Sequence, residues 1–196
     1  LTTRPNRPIF RVRMAVAVSP KHPQMYAPAC AFVSVDIADE RSGPEWNRFI
    51  AAADHHFFHF FEWGRIFREA YGFRPLYLAA RGEAGQLIAV CPLFQTESIL
   101  FGRSLKSFPY HIEGGASVHP GVADRSGIYR SIAAKIISLQ KEVQARNVDV
   151  RFRDRAFFQA APPGQMRLYE TYARYVVDLR KGKNALFRAF RKEVRN

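Results

Sequence analysis

The segment Tyr110-His111-Ile112-Glu113-Gly114-Gly115 gathers the residue types best suited to chemistry in this chain. Paired glycines let backbone amides approach a ligand closely and adopt positive φ. A carboxylate or imidazole beside such a turn can accept a proton from an attacking amine. Glu113 is therefore the candidate general base, and Tyr110, His111, Gly114 and Gly115 are the candidate substrate-binding residues. The competing reading of the same residues is a structural turn between a strand and a helix.

A second cluster, Asp54-His55-His56-Phe57-Phe58-His59, is the densest in titratable groups. On a helix His55 and His59 would face the same way, a spacing used for two zinc ligands. No third ligand follows at a telling spacing, and aromatics at 57, 58, 60 and 61 point to a packed junction between helices. No metal site is expected.

Near the C-terminus Arg188, Arg191, Lys192 and Arg195 recur at helical spacing opposite Phe187, Phe190 and Val194. Arg191 and Arg195 are candidate contacts for a phosphate-bearing substrate, a nucleotide-linked sugar or tRNA. The alternative is a solvated face whose cations complement the helix dipole. Neither a P-loop, a GxGxxG nor a GxSxG pattern occurs. Cys91 lies in an apolar run and reads as a small core residue, and with only two cysteines neither a disulfide framework nor a four-cysteine zinc site can form.

The chain that must position these residues is 196 long and 47% hydrophobic, enough for one substantial core. Its net charge of +13 is unevenly spread: residues 1–21 contribute +5 and 180–196 contribute +6, leaving +2 for the other 158. A nucleic-acid reading therefore has to rest on the ends. No stretch reaches the roughly 18 uncharged apolar residues of a membrane span. The apolar run after Arg13 is too short for a secretory signal, so a cytoplasmic, soluble protein is expected.

Residues 1–30, with five prolines and no clear period, read as a flexible leader. A domain follows over 31–180, opening with a strand from Ala31. Helical periods then predict helices beginning near Ser42 and running through Trp63–Tyr71, the second stopped by Gly72. Leu76–Ala80 and Leu87–Cys91 flank a glycine-bearing turn and predict a hairpin. Residues 102–121 read as a long loop, 124–146 as a helix, 148–152 as a strand, 154–170 as irregular and 171–179 as a strand. Residues 181–196 start a further helix. Strands alternating with helices, together with a central hairpin, predict an α/β (α+β mixed) fold with a mixed, largely antiparallel sheet flanked by helices.

The ordered series of Trp46, Trp63, Tyr71-Gly72-Phe73, Val90-Cys91-Pro92-Leu93-Phe94 and Phe101-Gly102-Arg103-Ser104-Leu105 resembles the N-terminal half of FemAB-like proteins, including the branch associated with PEP-CTERM exopolysaccharide systems. Ser107-Phe108-Pro109-Tyr110, Glu113-Gly114-Gly115, Tyr175-Val176-Val177-Asp178-Leu179 and Arg191–Asn196 extend the resemblance over residues 44–196. It implies a GNAT-like fold, a second GNAT-like domain after residue 196, and transfer of an acyl or aminoacyl group to an amine, in peptidoglycan or exopolysaccharide biosynthesis. Acyl-CoA or aminoacyl-tRNA would be the donor, and a small-molecule or nucleotide-linked amine the acceptor. The Arg/Gln-x-x-Gly-x-Gly/Ala pattern of acyl-CoA sites is absent, so this half is not expected to hold coenzyme A itself. The alternative is a non-catalytic GNAT-like module that binds a nucleotide-sugar or a protein partner.

Overall fold

A computed structural model describes residues 9–16, 33–52, 57–110, 114–152, 154–173, 180 and 182–189. The helices lie where the apolar periods run. Helix α1 (Gly43–Ala52) buries Trp46, Phe49 and Ile50. Helix α2 (Glu62–Tyr71) stops at Gly72, whose φ of 69° and N–H bond to the Arg68 carbonyl form the expected left-handed cap. Helix α3 (Arg125–Glu142) is capped by Asp124, whose Oδ1 accepts from the Gly127 N–H at 3.0 Å, and buries Ile128, Ile132, Ala133, Ile136 and Ile137. Helices α4 (Arg155–Ala160) and α5 (Lys183–Ala189) are short.

Ten strands are described: β1 (Ile9–Val16), β2 (Ser34–Ile37), β3 (Arg74–Pro75), β4 (Leu78–Arg81), β5 (Leu87–Cys91), β6 (Phe94–Ser98), β7 (Gly102–Lys106), β8 (Ser117–Val118), β9 (Asn147–Phe152) and β10 (Arg167–Ala173). They form a six-stranded sheet in the order β10-β1-β9-β7-β6-β3 and a four-stranded sheet in the order β2-β4-β5-β8. Strands β7, β9, β1 and β10 are parallel; every other pairing is antiparallel. The expected hairpin is the hinge between the sheets. Its two limbs stay bonded across the junction, where Leu76 N–H donates to the Leu93 carbonyl at 2.8 Å. Pro92, which has no N–H to give a ladder, sits at the bend.

Successive residues of β4 feed opposite cores. Leu78 and Ala80 pack with α3, β9 and Phe157 of α4, whereas Ala79 packs with Trp46, Phe49 and Phe67 of α1 and α2. Helices therefore cover both faces of a mixed sheet, as the alternation of elements implied. No helix among the described residues is long and apolar enough to cross a membrane.

Four stretches differ from expectation. Within the supposed flexible leader, Ile9–Val16 is a strand running parallel between β9 and β10. Its apolar residues alternate with Arg11 and Arg13 and its prolines lie outside it, so a two-residue period was hidden by charge. The supposed loop over 102–121 contains β7, which opens on Gly102, and β8, which is only two residues long. The region 154–170 contains α4, nucleated by the Asp154 side chain accepting from Ala156 N–H at 2.9 Å. The last strand begins at Arg167, ahead of the expected position; residues 174–179 lie outside the described ones.

Candidate functional site

Strands β7 and β9 run parallel only from Ser104–Asn147 to Lys106–Asp149 in register. The Ser107 N–H makes the last ladder bond, to the Asp149 carbonyl at 3.0 Å. There the chain leaves the sheet, and it returns as β8, which pairs with β5 of the smaller sheet. The departure would orphan the next amide of β9. Instead the Ser107 Oγ accepts from the Arg151 N–H at 2.9 Å, a hydroxyl standing in for the missing carbonyl. Ser107 is completely buried, where an unpaired amide is costly.

Beyond Ser107, Phe108 enters the core beneath α1 and α2, and Pro109 brings no amide that needs a partner. Tyr110 then turns the chain outward with φ 65°. A left-handed tyrosine is uncommon, and such strain concentrates where loops serve a ligand. The residue is 57% exposed, and its ring lies 5.2 Å from that of Tyr71 and 6.2 Å from that of Phe67. Phe73 stacks on both Tyr71 and Phe67, so four rings from α2, its cap and the loop form one aromatic platform. Partial desolvation and the neighbouring Tyr71 phenol push the Tyr110 hydroxyl above its ordinary value. It is thus a hydrogen-bond donor at neutral pH rather than a base.

The return limb starts at Gly114 and Gly115, both buried. A Cβ on Gly114 would stand 2.6 Å from Phe108 Cβ and 2.7 Å from the Ser107 carbonyl oxygen. One on Gly115 would stand 2.2 Å from the Arg151 carbonyl oxygen. Neither glycine has the positive φ for which the pair was singled out; they are needed because the backbone crosses β9 and its own outgoing limb with no room for a side chain. Protein backbone occupies the side where a Cβ would point, so they form the base of the loop. His111 and Glu113 lie outside the described residues, as do Arg191, Arg195, His55 and Cys30.

His59 pins this base from the opposite side. It is 3% exposed, and its Nε2 lies 2.8 Å from the Gly115 carbonyl oxygen; its own carbonyl accepts from Trp46 Nε1 at 2.6 Å. The packed-junction reading of the histidine cluster therefore describes His59. Among the described residues no group of three His, Cys, Asp or Glu could hold a metal ion. Cys91 is fully buried, which raises its thiol pKa and makes it a poor nucleophile.

Sequence reasoning overlooked the charged side of β9. Arg151 is 5% exposed, with its Nη2 3.4 Å from Asp149 Oδ2. In register, Lys106 and Arg11 flank Asp149, and Arg13 lies opposite Arg151. Two arginines assigned to a basic tail thus occupy the sheet beside the loop. The alternation of Arg with apolar residues over 9–16 was the available signal. Beyond β9, Tyr129 of α3 donates to Oδ2 of Asp154, the residue that caps α4, at 2.9 Å. Burial and the Asp154 carboxylate keep that phenol protonated well above its ordinary range.

Solved structures similar to the chain include a ribosomal-protein-alanine N-acetyltransferase from Brucella melitensis biovar Abortus 2308, 15% identical, with a TM-score of 0.48 over 75% of this chain and 99% of that one. Another is the aminoglycoside antibiotic 6'-N-acetyltransferase from Acinetobacter baumannii, 16% identical, with a TM-score of 0.43 over 75% of this chain and 100% of that one. No protein-family model and no curated protein matches the chain.

Proposed function

We propose that the chain is the N-terminal half of an acyl- or aminoacyltransferase that delivers an acyl group to an amine acceptor, in peptidoglycan or exopolysaccharide biosynthesis. The observation that carries the reading is the parting of β7 and β9 after Lys106 and Asp149. In sheets of this kind ligands settle outside the carboxyl ends of parallel strands, where neighbours diverge to opposite sides. The loop that leaves this point exposes Tyr110 beside the exposed Tyr71 of α2, and the two rings offer flat apolar faces with polar rims for an acceptor.

The reaction is direct attack. The amine nitrogen adds to the carbonyl carbon of a thioester or aminoacyl ester, the new C–N bond forms, and the C–S or C–O bond breaks, the sulfur or oxygen leaving with the bonding electrons and taking up a proton as the thiol or hydroxyl. The proton shed by nitrogen passes to a base, for which Glu113 is the candidate. Alignment of the two reactants supplies much of the rate, so few side chains are required. Acyl-CoA or aminoacyl-tRNA serves as donor, the latter through the basic C-terminal residues Arg191 and Arg195. A second GNAT-like domain and a cytoplasmic setting belong to the same proposal.

One observation favours a second reading, a non-catalytic module for a nucleotide-sugar or protein partner. The glycines that could have approached a ligand are filled against by protein atoms. Transfer of labelled acyl groups from acyl-CoA and from aminoacyl-tRNA to amine acceptors, in the longest natural form of the protein, separates the two. The enzyme reading expects product and at least a hundredfold loss in Glu113→Gln, within the range of general-base contributions. Tight ligand binding with no product under either donor would establish the module instead.

A further inference from the structure

The turn between β6 and β7 presents three consecutive large apolar residues to solvent. Ile99, Leu100 and Phe101 are 105%, 80% and 69% exposed. The turn is ordered by its own contacts: Phe101 N–H donates to Ser98 Oγ at 3.4 Å, and Arg103 pairs with Glu97 at 3.4 Å. Among the described residues, neither hydrophobic cluster includes these side chains. An isolated exposed leucine is ordinary, but a contiguous apolar tip marks an interaction site.

Where the tip lies restricts what it can meet. Strands β7, β9, β1 and β10 are parallel, so all four begin at the edge from which this turn projects. The proposed transfer site is at the opposite edge, beyond Lys106. Arg146, in the turn leading into β9, lays its side chain against Gly102, with Cδ 3.2 Å from where a Cβ would stand. Arg103, Lys141 and Arg167 belong to the same edge, opposed by Glu97 and Glu142. The apolar tip thus lies at an edge where four cationic residues, Arg103, Lys141, Arg146 and Arg167, outnumber two acidic ones.

We infer that this edge docks on an anionic lipid surface, with Ile99, Leu100 and Phe101 entering the headgroup–acyl boundary and Arg146 facing lipid phosphates. An apolar wedge flanked by cations is the composition that interfacial binding requires. A bilayer accepts a convex tip without shape complementarity. A second copy does not: three side chains cannot supply the roughly 800 Å² per partner of a stable dimer. The inference is independent of the transfer reaction.

Co-sedimentation of the full chain with phosphatidylcholine vesicles, with and without about one third phosphatidylglycerol, tests it. The expected result is binding to the anionic vesicles alone, weakened by salt. Leu100→Ser with Phe101→Ser should lower the partition coefficient about tenfold or more, and Arg146→Glu by a smaller factor that vanishes at high salt. These side chains are exposed, so an unchanged melting temperature verifies the fold. As a second readout, tryptophan emission of Phe101→Trp should shift to the blue on adding anionic vesicles. Failure of the wild type to sediment, equal binding by the double serine variant, or loss of self-association as that variant's only change would each overturn the inference.

Discussion

Two glycine-bearing turns of this chain look alike as sequence and differ in what makes glycine necessary. In the hairpin between β4 and β5, Gly85 has φ 79° and nothing within 4 Å of a would-be Cβ. Its requirement is conformational, and the turn is braced from outside by Arg81, which donates to the Gly85 carbonyl at 2.9 Å and to both carboxylate oxygens of Glu45. At the parting of β7 and β9, Gly114 and Gly115 have ordinary φ and no space at all. Their requirement is volume, and the crossing is braced from within by His59 and Ser107. A glycine in an open turn tolerates an added methyl at the cost of backbone strain. A glycine under a crossing strand does not.

The largest effect should therefore come from Gly115→Ala. Its methyl has to displace the β9 backbone, and overpacking of this kind costs up to about 3 kcal/mol or more. A melting-temperature drop no larger than that of a surface substitution would break the contrast. Ser107→Ala comes next. It leaves the Arg151 N–H without the hydroxyl that replaces its ladder partner, a loss of about 1–3 kcal/mol measurable by urea unfolding. Gly85→Ala should cost about 1 kcal/mol through its left-handed φ alone, with no change at the distant crossing.

The smallest effect concerns pH. The Arg81 hydrogen bond, opposed by partial desolvation and aided by the Arg81 charge, holds the Glu45 carboxyl below its usual range. A lowered folded-state pKa stabilises the fold above the unfolded value, and that contribution disappears as pH falls through the folded value. Because the pair is about a third exposed, it contributes under about 1 kcal/mol. Denaturant midpoints of wild type and Glu45→Gln should therefore differ at neutral pH and converge below about pH 4. A constant gap across that window would assign the role to packing.

Much of the scaffold was legible because its signals are local. Trp63, Phe67 and Tyr71 mark one face of α2 and Gly72 its end; the hairpin and α3 announce themselves similarly. Strand β1 was obscured because prolines flank it and arginines interleave it, and α4 because six residues are too few to show a helical period. The loop at the parting was legible in type but not in cause. Ser107 finds Arg151 across 44 residues and His59 finds Gly115 across 56, and no local pattern encodes such pairings. The left-handed residue was expected to be a glycine and is Tyr110.

The central claim is that ligand binding is centred on the loop leaving the β7–β9 parting. Hydrogen exchange of the backbone amides, followed with acyl-CoA, aminoacyl-tRNA and a nucleotide-linked amine each added in excess, tests it most directly. One of these ligands should slow exchange across 107–119 while leaving the hairpin amides at 82–86 unchanged. Equal protection of both turns, or protection confined to residues away from the parting, would contradict the account.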